Sequence, residues 1–363
     1  MRPTRWPTSR IQDLFGVELP ILQAPMAGAS GSALAIAVAQ AGGLGSLPCA
    51  MLSPAQMRGE IETIRAHTSA PININFFCHE APAPDPVREA AWRERLAGYY
   101  RELGIDANAA TPAPSRAPFD ETMCAIVEEF APQVVSFHFG LPASPLLERV
   151  RATGAKIISS ATSVQEARWL DERGCDAIIA QGVEAGGHRG MFQTNDIATQ
   201  AGVFALTPQI VDAVRAPVIA SGAIADGRGV AAAFALGASA VQIGTAYLFC
   251  PESTISQAHR TALRGASDDS TALTNVFSGR PARGLINRFM RETGPISPIA
   301  PAFPLASGAL APLRAKAESA DSGDFSPLWS GQAARLGVEA PAGDLTRRNA
   351  SEALAILSRL SGQ

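Results

Sequence analysis

The chain is expected to fold as an α/β (β/α)8 TIM barrel, with an insertion after the third strand and a smaller C-terminal capping region. Three observations lead there. Eight short apolar runs bounded by turn residues recur along residues 1–250, and Ala-rich stretches of helical length separate most of them. Several of those stretches stop at a glycine (Gly42, Gly154, Gly174, Gly237), the usual residue just past a helix end. Strand and helix alternating eight times argue for a parallel sheet closed on itself. A doubly wound open sheet is the rival, but it would rarely need eight near-equal repeats.

The first strand covers residues 21–24 and ends at Pro25. The next follow the Gly42-Gly43 turn at 44–47 and Pro71 at 72–76, with further strands at 134–139, 156–160, 177–181, 218–221 and 240–243. Each is rich in β-branched or small apolar residues, as buried parallel strands are. Helices are expected over 32–40, 54–67, 145–152, 163–173, 207–214 and 229–236. Two regions break the rhythm. Residues 77–132 are too long for one crossover and hold Pro-rich pieces at 81–86 and 111–118 around a helix at 87–103. Beyond residue 250 strand periodicity is lost, with Gly and Pro clusters near 279–284 and 294–304 and a last helix at 346–360. This region, 251–363, reads as a mostly helical cap that shields the site from water; simple outer packing is the plainer alternative.

Composition narrows the function classes. Of 363 residues, 47% are hydrophobic and 17% charged, which marks a globular chain with a large core. A net charge of -3 leaves no electrostatic footprint for nucleic acid. No apolar run approaches the roughly 18 residues of a membrane span. Residues 1–16 contain Arg2, Arg5, Arg10 and Asp13 and no continuous apolar stretch, so no secretory signal is expected. The five cysteines, Cys49, Cys78, Cys124, Cys175 and Cys250, form no CxxC pair. Reduced thiols, no metal site and a cytoplasmic location are therefore expected.

In a barrel the C-terminal strand ends build the active site. The sixth strand runs into Gln181-Gly182-Val183-Glu184-Ala185-Gly186-Gly187-His188-Arg189-Gly190. Glycines there let backbone N–H groups approach a ligand, and a histidine can exchange a proton near neutral pH. His188 is thus the leading acid/base candidate. His138, beside the fourth strand end, is a second pocket residue; His67 and His259 read as surface residues, and His79 is undecided. Glu184 reads as structural or solvated.

After the seventh and eighth strands, Gly222-Ala223 and Gln242-Ile243-Gly244-Thr245 form paired loops suited to a phosphate, helped by the dipole of the following helix. Asp226 reads as that helix's N-cap, and Arg228 as either a phosphate partner or solvated. Asn75 and Gln181 end their strands with amides able to donate and accept, as the edge of a flavin ring requires. Gln23 and Met26 flank the small, apolar Ala24–Gly28 segment, fit to lie under a flat ring.

Residues 23–28, 181–190 and 217–245, with Leu328-Trp329-Ser330-Gly331-Gln332 near the C-terminus, resemble the FMN-dependent nitronate monooxygenases, formerly called 2-nitropropane dioxygenases. The resemblance spans nearly the whole chain. It implies an FMN-containing barrel in which Met26, Asn75, Gln181, Gly186, Gly187, Gly222, Ala223, Gln242, Ile243, Gly244 and Thr245 hold FMN and His188 is catalytic. The implied reaction oxidises an alkyl nitronate with O2 to a carbonyl compound and nitrite, without nicotinamide. His188 would hydrogen-bond the nitronate oxygens or remove the α-proton of a neutral nitroalkane. One departure is visible: the family usually has Gly-Gly where this chain has Gly222-Ala223, so the turn geometry is expected to change slightly.

Related flavin barrels include enoyl-acyl-carrier-protein reductases and nicotinamide–quinone reductases, which share the Gly-Gly-His loop. Those reductases tend to follow Gly-Thr with Arg-Phe, whereas Gly244-Thr245 is followed here by Ala246-Tyr247-Leu248, as in the monooxygenases. A barrel that keeps FMN without turnover is a third reading, and His188 on an intact glycine loop speaks against it.

Overall fold

The structure, a computed structural model, describes residues 5–106 and 116–361. Eight strands form one parallel sheet: β1 (Ile21–Gln23), β2 (Gly45–Pro48), β3 (Ile72–Phe77), β4 (Val134–His138), β5 (Lys156–Ala161), β6 (Ala177–Gln181), β8 (Val218–Ser221) and β9 (Ala240–Ile243). Between β6 and β8 in sequence lies the two-residue strand β7 (Gly187–His188), which belongs to a second sheet. The parallel strands run in the order β1-β9-β8-β6-β5-β4-β3-β2. The Leu22–Leu44 bridge, with Leu44 N–H donating to Ile21 O and Gln23 N–H to Leu44 O, joins the first strand to the second. That bridge closes the barrel.

The barrel interior is filled by Leu22, Leu44, Val134, Ile158, Ala177, Ile179, Ile219 and Ala240, with Ile11 and Phe15 of the helix Arg10–Phe15 in the same cluster. Outer helices bury their apolar faces against the strands. Proline at N1 with the Ser53–Gln56 capping box starts the helix Pro54–His67. Helix Val203–Ala213 starts four residues before the expected position and carries Pro208 inside it, because the Glu184 carboxylate accepts the Val203 N–H at the first helical turn, at 2.9 and 3.0 Å. Glu184 is structural.

Among the described residues, the crossover between β3 and β4 holds two helices. Glu121–Phe130 packs between Pro54–His67 and Ser144–Ala152, as a barrel crossover does. Pro86–Glu102 instead leaves the barrel and packs on the helix Ala306–Glu318, where Trp92 Nε1 donates to Ala306 O at 3.3 Å and Tyr100 Oη to Ala309 O at 2.6 Å. Trp92, Tyr99, Phe277, Phe289, Leu310 and Phe325 give this unit its own core. Most of the Pro-rich piece at 111–118 lies outside the described residues.

The C-terminal region departs from the mostly helical expectation in two respects. Strands β10 (Thr271–Thr274) and β11 (Ala282–Leu285) form an antiparallel pair, and β11 also pairs with β7, His188 opposite Ala282. These strands are four residues long or shorter and show no alternation of polarity, so nothing local marks them. The last helix, Ala342–Leu360, does not cover the mouth. It packs between Gly227–Ala235 and Ser32–Gln40 on the barrel wall, where the eighth crossover helix of the barrel would stand. No helix among the described residues is long and apolar enough to cross a membrane.

Candidate active site

A cavity of about 550 Å³ opens at the C-terminal strand ends, between the barrel and the segment that carries Trp329. Met26, Asn75, His138, Gln181, Gly186, Gly187, His188, Gly222, Ala223, Gln242, Gly244 and Thr245 all line it. Ile243 does not: its side chain is fully buried in the cluster between the barrel and its outer helices, because residues along a strand alternate in direction and Gln242 takes the inward position. Gln23 also turns from the cavity, accepting the Ser46 N–H at 2.7 Å across to the second strand.

His188 is held from several sides. Its backbone sits in β7 against β11, and its carbonyl accepts from Gln181 Nε2 at 3.0 Å and His138 Nε2 at 3.2 Å. Gln181 Oε1 in turn accepts the Gly190 N–H at 2.7 Å. Both ends of that amide therefore orient the loop. A side chain at Gly190 would put its Cβ 2.8 Å from His138 Cε1, so only glycine lets the imidazole approach this closely. Next in sequence, Arg189 is fully buried and donates to the carbonyls of Gly182 at 2.6 Å and Gln181 at 2.7 Å, with Gln200 Oε1 on its Nε at 3.1 Å. The β6 strand end is fixed from beneath.

The tautomers follow from these partners. A carbonyl only accepts, so His138 carries its proton on Nε2 and accepts at Nδ1 from Ser160 Oγ, 3.1 Å away. Ser278 Oγ donates to Arg280 O at 3.2 Å and accepts from His188 Nε2 at 2.9 Å. His188 Nδ1 is then left with its lone pair. The ring is walled by Trp329 and Phe303, each 5.3 Å away by centroid, and by Phe77 and Phe139 at 6.2 Å.

Burial, then the nearby Arg116 guanidinium, holds His188 well below the ordinary histidine value. Burial likewise pushes His138 down to about 3, and burial followed by Arg280 takes His79 to about 4. These imidazoles are neutral at physiological pH. The expectation of a His188 that titrates near neutrality is therefore corrected: desolvation and cationic neighbours outweigh the intrinsic value.

The anion-binding end differs from expectation in its donors. The N-terminus of helix Gly227–Ala235 is already occupied: Asp226 accepts the Arg228 and Gly229 N–H groups, and Glu352 accepts that of Gly227 at 3.3 Å. Arg228 pairs with Asp226 rather than standing free. The turn before the helix remains available, since the N–H groups of Gly222, Ala223 and Gly244 meet no acceptor among the described residues. Ala223 adopts φ 53, a left-handed conformation unusual for a residue with a Cβ. Gln242 Oε1 is buried and without a hydrogen-bond partner. Thr245 Oγ1 accepts the Gly331 N–H at 2.9 Å, tying the C-terminal segment to this loop.

Three residues of the site escaped the sequence reading, two lining the cavity and one behind His188. Arg116 lines the cavity from the stretch before helix Glu121–Phe130. Ser278 sits ninety positions from the histidine it contacts. His259, expected on the surface, is 7% exposed, lines the cavity and donates from Nε2 to Trp329 O at 3.1 Å. Its helix Gln257–Arg264 is polar in composition but strongly one-sided, which was the signal for a buried face.

The site and the chain around it have relatives. The family model described as nitronate monooxygenase matches residues 8–348. A nitronate monooxygenase of Pseudomonas aeruginosa is 40% identical over 94% of this chain and 97% of its own length. One of Paraburkholderia phytofirmans is 41% identical over 92% of this chain and 91% of its own length. Among solved structures, nitroalkane oxidase from Streptomyces ansochromogenes superposes with a TM-score of 0.88 at 38% identity, covering 97% of this chain and 100% of that one. FabK from Thermotoga maritima reaches 0.74 at 29% identity, with 99% of each chain covered. A model match along nearly the full length, joined to relatives of 40% identity and a shared barrel, places this chain in the nitronate monooxygenase family.

Proposed function

We propose that the protein is an FMN-dependent nitronate monooxygenase, converting an alkyl nitronate and O2 to a carbonyl compound and nitrite. In this reading residues 1–250 carry the cofactor and residues 251–363, with the helix Pro86–Glu102, close the substrate side. The observation that carries it is the charge of the cavity wall. Neutral imidazoles and arginines line or flank it, while its only carboxylate among the described lining residues, Glu318, is paired with Arg314. Such a wall favours an anion. A nitronate is one; a neutral nitroalkane is not.

The fit to FMN is supported by donor chemistry. The unpartnered N–H groups of Gly222, Ala223 and Gly244 and the Thr245 hydroxyl suit a phosphate. The orphaned Gln242 Oε1 calls for a donor such as a ribityl hydroxyl or ring N–H. Ala24, Pro25 and Met26 offer an apolar shelf, and Asn75, whose Nδ2 donates to Ser136 Oγ at 2.9 Å, presents a fixed amide. Bound there, the flavin supplies electron exchange between nitronate and O2.

The chain's own residues bind and orient the anion. Ser278 fixes the proton on His188 Nε2, and the aromatic walls exclude bulk water from the ring. A neutral imidazole with a strongly depressed pKa is a poor base for a carbon acid. His188 is therefore assigned to orienting the preformed nitronate, its one N–H turning from Ser278 Oγ to a nitronate oxygen, with His138 as the positioning residue behind it.

The reductase alternative shares the barrel, and FabK from Thermotoga maritima superposes less well than nitroalkane oxidase, 0.74 against 0.88 in TM-score. The two are separated by mixing the holoenzyme with ethyl nitronate in air, and anaerobically with NADH. Stoichiometric O2 consumption and nitrite release without nicotinamide is the expected result. Rapid bleaching of the flavin by NADH, with no nitrite from the nitronate, would overturn the reading.

A further inference from the structure

Arg116 stands apart from the other charged groups at the cavity. Among the described lining residues, the acid and base side chains besides the histidines are Arg116, Arg314 and Glu318. Arg314 Nε donates to Glu318 Oε1 at 2.8 Å, so those two charges offset each other. Arg116 has no salt bridge among the described residues, and its Nε is buried without a hydrogen-bond partner. The neighbouring residues 107–115 contain no Asp or Glu that could supply one.

A guanidinium drawn partly out of water, with its Nε buried and no counterion among the described residues, is unfavourable, since buried charges are otherwise found paired. Burial and the charge of Arg314 together hold this group down, to about 10. Its place is set locally: its backbone lies beside the His79 imidazole, which packs at 4.7 Å against Phe303, which itself flanks His188. Arg116 is also the strongest charged influence on His188. A cation with no counterion among the described residues, beside the candidate catalytic imidazole, is a receptor for an anion.

We propose that Arg116 anchors the substrate anion beside His188, and that the same position takes small inorganic monoanions such as nitrate. The assignment rests on the nitronate reading above for the identity of the natural occupant. The flavin phosphate is not the counterion in this scheme, since its donors lie at the ends of β8 and β9, whereas Arg116 follows β3. The planar fork of arginine also matches a planar two-oxygen anion better than a lysine would.

The test compares wild type, Arg116→Gln and Arg116→Lys holoenzymes of equal flavin content. Nitrate binding is measured by calorimetry, and steady-state kinetics with ethyl nitronate are followed across pH. The glutamine variant is expected to bind nitrate at least 10-fold more weakly and to raise KM for the nitronate by about the same factor, with kcat changed less than threefold. The lysine variant is expected to recover most of both. Removing the cation also raises the pKa of His188, so the acid limb of kcat/KM moves to higher pH in Arg116→Gln, a shift that a purely structural role would not produce.

Unchanged nitrate affinity and unchanged KM in Arg116→Gln would overturn the proposal; if the flavin reduction potential moved instead, the charge would serve the cofactor. Should wild type release no nitrite from any nitronate, the nitronate reading fails, and the nitrate titrations alone decide the role of Arg116.

Discussion

At the level of single residues, the site depends on which nitrogen of an imidazole carries its proton. Ser278 cannot both donate to Arg280 O and donate to His188, so it accepts, and His188 Nε2 is the protonated nitrogen. Replacing Ser278 by Ala removes that acceptor and lets the two neutral tautomers compete. One ordinary hydrogen bond of about 1 kcal/mol is at stake. The expected outcome is a drop of roughly fivefold in kcat/KM for a nitronate, smaller than that of His188→Asn, with flavin content unchanged. Nitrogen-15 shifts of the imidazole report the cause directly: wild type should show Nε2–H alone and Ser278→Ala a mixture. A single tautomer in the variant would refute the positioning role.

Among elements, the close contact is between the β6–β7 loop and the C-terminal segment. A Cβ on Gly186 would lie 2.5 Å from Gly331 N and 2.7 Å from Ser330 C, both backbone atoms with no rotamer to yield. Gly186→Ala should therefore force the two segments apart, at about 1–3 kcal/mol, and loosen the Thr245–Gly331 bond that ties the closing segment to the phosphate loop. A lowered Tm together with faster flavin loss on gel filtration is expected; a variant with wild-type Tm and flavin retention would show that the crossing is slack. Such a contact is invisible in sequence, where the two glycines are far apart.

The barrel itself was legible. Helices 32–40 and 54–67 and the strands 177–181, 218–221 and 240–243 have their expected limits, since in each a turn residue and the hydrophobic pattern agree. The sheet β10-β11-β7 was not, because β7 joins it by pairing with a strand about ninety residues away and not by local periodicity. Likewise the N-terminus of helix 227–235 was expected to assist the phosphate loops through its dipole, but Glu352, from the far end of the chain, occupies its first N–H.

Over the whole molecule, the histidines couple stability to pH. Burial is the first cause of the lowered values of His79 and His259, both about 4, of His138, about 3, and of His188, well below the ordinary value. In the unfolded chain each returns to about 6.5. Between the two values the unfolded state holds a proton that the folded state does not, so unfolding takes up protons and acid favours it. The contribution of each is complete above about pH 6.5 and is lost as pH falls towards the folded-state value. No single histidine removes more than about 1.4 kcal/mol per pH unit, but these four act in the same direction. Most carboxylates remain ionised above pH 5, so the window from 6.5 to 5 isolates the imidazoles. Guanidinium unfolding should give a nearly constant free energy from pH 8 to 7, then a decline from 6.5 to 5 with an uptake of several protons. His259→Gln, which preserves a donor towards Trp329 O while removing the titration, should reduce that uptake by about one. Equal unfolding free energies at pH 7 and pH 5 would mean that the imidazoles titrate in the fold as they do in the unfolded chain, and the neutral imidazoles around His188 would go with that result.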